Sequence, residues 1–536
     1  MDRPEFNLLT EPWIRLMRED CVIEELSLAD ALLNAHKYKG LAGELPTQNA
    51  AVLRLLLAVL HAVFERVDAE GNECELETED DALDRWEELW KNGSFPKQPL
   101  RAYFEAQHEN FWLFHPTRPF WQTPSAVIGT EYEASKLNGS ISESSNKVRL
   151  FSIRAGDEKK RLTYPEAARW LLYVNAFDDT SAKPTKSGKA DNGGKLPSPG
   201  AGWLGKIGFL CFTGDNLFET LMLNFVLTDD DEKPWSDSVP VWELEAPPTK
   251  ERTQIPLPHD QAALLTLQSR RLILHRENGF ATGYHLLGGD FFEKENALSE
   301  QMTVWSEIRD KKGDSKGYQP RRHDKERQMW RDFGSYAGRN QGSKKPGVIR
   351  WNALLQQNGI LPANRLMCIS ISSVQYGDKD FFAADLFDDT LNVQLGILSD
   401  IGENYRTLIL KEISRCDKIA CHIGTLANEL FYASGGDPEK KTLPADSARE
   451  RYYYEIDIPF RKWLSSLRAD DEDTDEKINL WRKQAKTIAF SLAEKIVSDA
   501  GPTAFVGKTV EKNGKKRFYS SSMAMQWFKY NMVKNI

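Results

Sequence analysis

Lys183–Gly208 reads KPTKSGKADNGGKLPSPGAGWLGKIG, a stretch that separates a nucleotide-binding α/β fold from other architectures. Gly200-Ala-Gly202-Trp-Leu-Gly205 spells the dinucleotide fingerprint, and Gly200 to Lys206 spells most of a Walker A loop. Both motifs require a strand before the glycines and a helix after them, because the helix N-terminus holds the phosphate. Leu196-Pro197-Ser198-Pro199 is a poor strand, and Ile207 to Phe212 has strand character where a helix is required. Ile207 also stands where a magnesium-binding hydroxyl would be. What the stretch does offer is five lysines (Lys183, Lys186, Lys189, Lys195, Lys206), seven glycines and one acid, Asp191. Bare amide N–H groups beside ammonium groups suit a phosphate backbone. A flexible surface loop fits the same composition.

Two further basic stretches lie on either side. In Ser144 to Leu162, Lys147, Arg149, Arg154, Lys159, Lys160 and Arg161 stand against Asp157 and Glu158, with Asn146 and Phe151 among them. A ring between cations suits single-stranded nucleic acid, whose bases stack on it. An amphipathic hairpin with Phe151 facing the core fits equally. Residues 311–350 carry twelve Lys and Arg against four acids, while the whole chain has a net charge of −9. A cluster that opposes the global sign points to a local polyanion contact and argues against a surface that binds nucleic acid everywhere.

The remaining sequence predicts an α+β fold. Leu26–Asn34 is a short helix, and Pro46 opens an apolar helix to about Val67, buried on nearly every side. Asp68–Glu88 is acidic and reads as a solvated face. Pro165–Phe177 and Asn216–Leu227 are helices, and Val239–Asn296 is sheet-rich. From Asp389 the spacing of Leu391, Leu395, Leu398, Tyr405 and Leu408 is helical and continues to Leu430. A second helix runs from Ser447 to Leu467, bent at Pro459. A third opens at the box Asp473-Thr-Asp-Glu476, and a fourth follows Ser520–Ser522. The predicted organisation is a large mixed N-terminal globular domain over residues 1–380 and a C-terminal four-helix bundle over residues 381–536.

Chemistry-bearing motifs are scarce. The nine histidines form no HxxxH or HExxH box, and no GxSxG elbow occurs. Cys416, Cys421 and His422 cluster in sequence, but a helix separates the two cysteines by more than a turn. No catalytic residue, metal ligand or cofactor is assigned. The six cysteines lack CxxC spacing, which suggests a reducing compartment. Ala50–Phe64 contains Arg54 and His61 and falls short of a membrane span, and no signal-peptide order is seen. The expected location is the cytoplasm, without a membrane partner.

Several pieces occur together in an informative order. They are Asn7-Leu-Leu-Thr-Glu-Pro-Trp-Ile14, the helix following Leu45-Pro46, and His115-Pro-Thr-Arg-Pro-Phe-Trp-Gln-Thr123. The Gly-rich loop before Thr213-Gly-Asp-Asn-Leu and the C-terminal helices complete the set. In these the chain resembles the large subunit (CasA-type) of the type I-E CRISPR interference complex, Cascade, over nearly its full length. The resemblance implies a non-catalytic subunit that reads a protospacer-adjacent motif (PAM) in target double-stranded DNA from the minor groove, starts strand separation and helps recruit a helicase–nuclease. It implies DNA contacts from the glycine loop at Lys195, Gly200, Gly202 and Lys206, and from a lysine of the middle region, Lys294. It places a duplex wedge in Val374-Gln-Tyr-Gly-Asp-Lys379, at Asp378 or Lys379, where the family often shows glutamine. It implies that a loop containing Asn146, Lys147, Arg149 and Phe151 docks on the 5′ handle of the CRISPR RNA. The other implied partners are the handle-capping, backbone and small subunits of Cascade. A nucleotide-binding enzyme using Gly200–Lys206 and a protein-interaction scaffold are the competing readings.

Overall fold

The computed structural model describes the chain apart from residues 1–2, 143–151, 192–199, 237, 339–341, 438–441, 471, 513–514 and 536. It divides into two compact units: Met1–Lys325 with Ser335–Ile360 and Met367–Thr390, and Glu326–Gly334 with Leu361–Leu366 and Leu391–Ile536.

The first unit encloses the helix Pro46–Phe64. Pro46 stands at its first turn, where a missing N–H costs nothing, and seventeen side chains from Thr47 to Phe64 are buried. At 19 residues it is longer than the Ala50–Phe64 run, and it meets the length and composition of a membrane span. Yet 94% of its apolar window lies inside protein. The charge it carries is matched: Arg54 meets Glu300 at 2.9 Å, both buried. Helices Tyr164–Phe177 and Gln261–Leu265 pack against it.

The acidic segment Asp68–Glu88 is not simply a solvated face. Glu79–Asn92 is a helix opened by a capping box between Thr78 and Asp81, and it buries Leu83, Trp86 and Leu89. Its acids occupy the first turn, where they complement the helix dipole.

Of the strand pairings in this unit, two three-stranded sheets and one hairpin bear on the site. In one sheet Phe280–Gly288 lies between Thr130–Glu133 and Arg270–Glu277, antiparallel to both. In the other Leu366–Tyr376 lies between Leu210–Thr213 and Ala383–Gln394. Trp305–Arg309 and Ser315–Pro320 form the hairpin.

The second unit is a helical bundle built on Glu403–Ala433, against which Thr442–Ser466, Thr474–Asp499 and Ser521–Asn535 pack. The bundle starts later than the leucine spacing predicts. Ala383–Gln394 is a strand and Leu395–Leu398 a single turn, and their buried residues only mimic a helical period. Thr442–Ser466 continues through Pro459. Asp473 makes no side-chain cap bond, so the predicted box does not form. Between the third and fourth of these helices, the basic strand Lys508–Lys512 pairs antiparallel with Lys515–Tyr519.

Aromatic stacking fills this core. Phe460 lies 4.1 Å from Trp330 and 5.2 Å, edge-on, from Trp481, which stacks on Trp463 at 5.6 Å. Trp481 is 2% exposed. Trp481→Ala leaves a cavity beside the Phe460 and Trp463 rings and costs about 3–5 kcal/mol. The midpoint of denaturant unfolding measures it; an unchanged midpoint contradicts this packing.

Candidate nucleic-acid interface

The glycine loop is anchored by charge. The helix Tyr164–Phe177 ends at Asp178, and the next turn carries Asp179 and Lys183. Arg270, fully buried at the start of its strand, donates Nε to Asp178 Oδ2 at 2.6 Å. The same guanidinium donates to the carbonyls of Asp179 (2.7 Å), Ser269 (2.8 Å) and Gly200 (3.0 Å). Lys183, 1% exposed, joins Asp178 at 3.1 Å and Asp179 at 3.0 Å. Burial is the largest single effect and would raise both carboxyls, but Lys183 together with Arg270 at Asp178, and Lys183 together with Lys136 and the Ser181 hydroxyl at Asp179, outweigh it, so both lie below the usual range. One cluster therefore grips the segment before the loop and the residue after it.

The cluster also corrects the first impression of the loop. Lys183 neutralises aspartates inside the protein and is not available to phosphate. Gly202 is buried: a Cβ there would stand 2.4 Å from the Ala176 carbonyl oxygen, so the glycine serves close packing and does not face a partner. Gly205 is likewise buried, under the Tyr376 hydroxyl. Gly200 differs. Its φ of 137° suits only glycine, and it is half-exposed. After it comes a four-residue helix, Trp203–Lys206, where the sequence suggests none, and then the strand Leu210–Thr213. The amides at that helix start are committed, Gly202 N–H to Asp178 O (2.9 Å) and Trp203 N–H to Ser269 Oγ (3.2 Å). Those two amides are therefore not offered to a phosphate as the cradle of a P-loop would require.

Gly200 and Lys206 line an open cavity of about 710 Å³. Lys294, Arg321 and Arg322 line it too, with Glu293, Glu295 and Asp380. Lys206 Nζ lies 4.7 Å above the Phe291 ring. Burial, with repulsion from Arg270, Lys294 and Arg322, lowers this ammonium to about 8. A cation held beside other cations gains when an anion arrives.

The turn expected to hold the wedge is at the rim. Tyr376 ends its strand and donates its hydroxyl to the Phe177 carbonyl at 2.7 Å. Asp378 and Lys379 are exposed in the short helical turn Asp378–Asp380, with Lys379 and Asp380 both at positive φ, 54° and 60°. Such backbone persists in non-glycine residues only when its surroundings fix it. Here Thr180, itself in the cavity wall, donates its amide to Asp380 O (3.0 Å) and its hydroxyl to Lys379 O (2.7 Å). Asp380 also takes a bidentate pair from Arg322, 2.9 Å in each arm.

Gly200, Lys206, Lys294, Asp378 and Lys379 are thus brought to one cavity and its rim. Lys195, Asn146, Lys147, Arg149 and Phe151 lie outside the described residues. The basic stretch 311–350 does not act as one patch. Arg322 and Lys325 pair with Asp380 and Asp385, while Lys344 and Arg350 pair with Asp230. Arg327 and Arg331 belong to the second unit, paired with Asp332 and Asp417. Sequence reasoning missed Asp178, Thr180, Arg270 and Asp380. The signal was present at Arg270-Arg271, two cations immediately before the apolar run Leu272-Ile273-Leu274.

The profile of the CRISPR-associated protein Cse1 family matches residues 7–492. A CRISPR-associated protein CasA/Cse1 of Thermus thermophilus is 31% identical over 367 residues, which are 66% of this chain and 64% of that protein. The chain thus matches just under two thirds of that relative's length. The crystal structure of Thermobifida fusca Cse1 superposes with a TM-score of 0.81 at 28% identity, covering 99% of this chain and 98% of that one. A chain of a CRISPR RNA-guided surveillance complex shares the fold at 17% identity, with a TM-score of 0.65 over 93% of this chain and all (100%) of that one.

The anchor is testable through stability. Arg270→Met leaves buried Asp178 with Lys183 as its remaining ion-pair partner and deprives the Asp179, Ser269 and Gly200 carbonyls of their donor, which costs about 3–5 kcal/mol. Both aspartates are lowered on folding, so their contribution is full above the unfolded value of about 3.9 and is lost as pH falls through the folded values. Unfolding midpoints between about pH 6 and 2 should therefore decline, and Arg270→Met should flatten that decline. Equal slopes in the two proteins contradict the assignment.

Proposed function

The chain belongs to the CRISPR-associated protein Cse1 family, and from that premise we propose that it is the DNA-recognition subunit of an RNA-guided surveillance complex. It reads a PAM in target duplex DNA at the cavity described above, opens the duplex and helps recruit a helicase–nuclease, without catalysing a reaction itself. The observation that supports this reading is convergence: Gly200, Lys206, Lys294 and the Asp378–Asp380 turn come from distant parts of the chain to one cavity and its rim.

Each part has a task. Lys206 and Lys294 contact phosphate, releasing counterions, while the bare Gly200 backbone lets the minor-groove edge approach closely. The minor groove carries a degenerate code, so a few contacts there give a tolerant reading. Asp378 or Lys379, on a turn braced by Thr180 and Arg322, enters the stack as the wedge. Unstacking costs a few kcal/mol. Guide–target pairing replaces the lost base pairs almost evenly, so a small protein contribution decides whether opening proceeds. Asn146, Lys147, Arg149 and Phe151 dock on the 5′ handle of the guide RNA, and Lys195 adds a phosphate contact to the loop. The handle-capping, backbone and small subunits complete the assembly.

Electrophoretic titration of the assembled complex with duplexes carrying a correct or scrambled PAM tests the proposal. Lys206→Ala and Lys294→Ala should weaken binding and each lower the salt-dependence slope by about 1. Unchanged affinity and slope would overturn the cavity assignment. Because Lys206 loses its charge near pH 8, affinity should fall as pH rises through about 8, and this fall should be absent in Lys206→Ala. A pH profile identical in the two proteins contradicts a Lys206 contact.

A further inference from the structure

The sheet beside the loop anchor has two unlike faces. Tyr132, Leu272, Leu274, Tyr284 and Leu286 share the apolar one. On the other face, Glu131 is paired in register with His285, and His285 with Ile273. Strand residues two apart point the same way, so His275 sits on that face too, diagonal to His285. The two imidazole centroids are 4.4 Å apart, and His275 Nδ1 lies 3.6 Å from Glu131 Oε1. One donor atom from each of the three residues falls within 4.8 Å of the others.

His285 supplies a second observation. It is 7% exposed, and its Nδ1 is buried without a hydrogen-bond partner. A buried ring nitrogen left in that state calls for a ligand.

We propose that Glu131, His275 and His285 bind one divalent transition-metal ion of the zinc class. Two imidazoles and a carboxylate form the donor set of three-ligand zinc sites, whereas calcium and magnesium require oxygen donors. Tetrahedral bonds of about 2.0–2.2 Å place ligand atoms about 3.3 Å apart. The present spread of up to 4.8 Å closes by small side-chain rotations, and exposed Glu131 is the group freest to move. The ion would tie the edge strand Thr130–Glu133 to the hairpin behind it. Thr130 donates its amide (3.1 Å) and hydroxyl (2.9 Å) to the Pro184 carbonyl, and Lys186 N–H donates to Ile128 O at 2.7 Å. Metal binding would therefore brace the strand on which the first part of the Lys183–Gly208 loop rests. This inference is independent of the DNA-binding proposal.

The test uses the full-length chain without an affinity tag, stripped by chelator and titrated with cobalt(II), then with zinc. The expected result is one equivalent of cobalt with a visible absorption band, displaced by zinc, and a raised melting temperature in excess zinc. His285→Gln, His275→Gln and Glu131→Gln should each weaken cobalt binding by about tenfold or more. Glu131 is exposed, so Glu131→Gln remains decisive where His285→Gln does not fold. Failure of the wild-type chain to take up cobalt would overturn the proposal. So would cobalt binding that is undiminished in both His275→Gln and Glu131→Gln, since other histidines would then hold the ion.

Discussion

A single buried guanidinium decides where the glycine loop can be. Arg270 reaches Asp178 at the end of one helix, Asp179 in the next turn and the carbonyl of Gly200 after the loop. A charge taken fully out of water must be matched on every side or the fold loses several kcal/mol. Asp178, Asp179 and Lys183 provide that match. Both ends of the loop are thereby fixed, whatever the residues between them do. Gly202 and Gly205 press the following turn against the Ala176 carbonyl and the Tyr376 hydroxyl, so the floor beneath Lys206 is equally set.

This floor explains the electrostatics above it. Lys206, Lys294 and Arg322 are held near one another and near Arg270, and their mutual repulsion is part of what lowers the Lys206 ammonium. Glu293, Glu295 and Asp380 share the lining, yet the cations nearest Lys206 still repel it, and an arriving polyanion relieves that cost. The Asp378–Asp380 turn follows the same logic in backbone form. Two residues at positive φ are retained because Thr180 and Arg322 brace them. Strain of this kind, at the edge of a charged cavity, is characteristic of sites that act on a ligand.

Much of the architecture is legible in the sequence because it follows from period and composition. The enclosed Pro46–Phe64 helix, the mixed first unit and the C-terminal helices are of this kind. Where the expectations fail, local signals are outvoted by tertiary ones. Leu391 and Leu395 continue a helical spacing but belong to a strand and a single turn. Acids that read as solvated face open the Glu79–Asn92 helix. The loop shows the same limit at the site. Lysines and glycines look alike in a one-dimensional reading, yet Lys183 and Gly202 are buried structural residues while Lys206 and Gly200 line the cavity. Nothing in spacing distinguishes them, because the distinction is made by Asp178 and Arg270, ninety-two positions apart.

The most direct test of the central claim is to replace Lys294 with a photo-crosslinking amino acid in the assembled complex and map the crosslinked nucleotides on target duplex DNA. The account predicts adducts confined to the PAM base pairs and their immediate neighbours, lost when the PAM is scrambled. Adducts spread along the duplex regardless of PAM, or none at all under conditions where the complex binds its target, would contradict it.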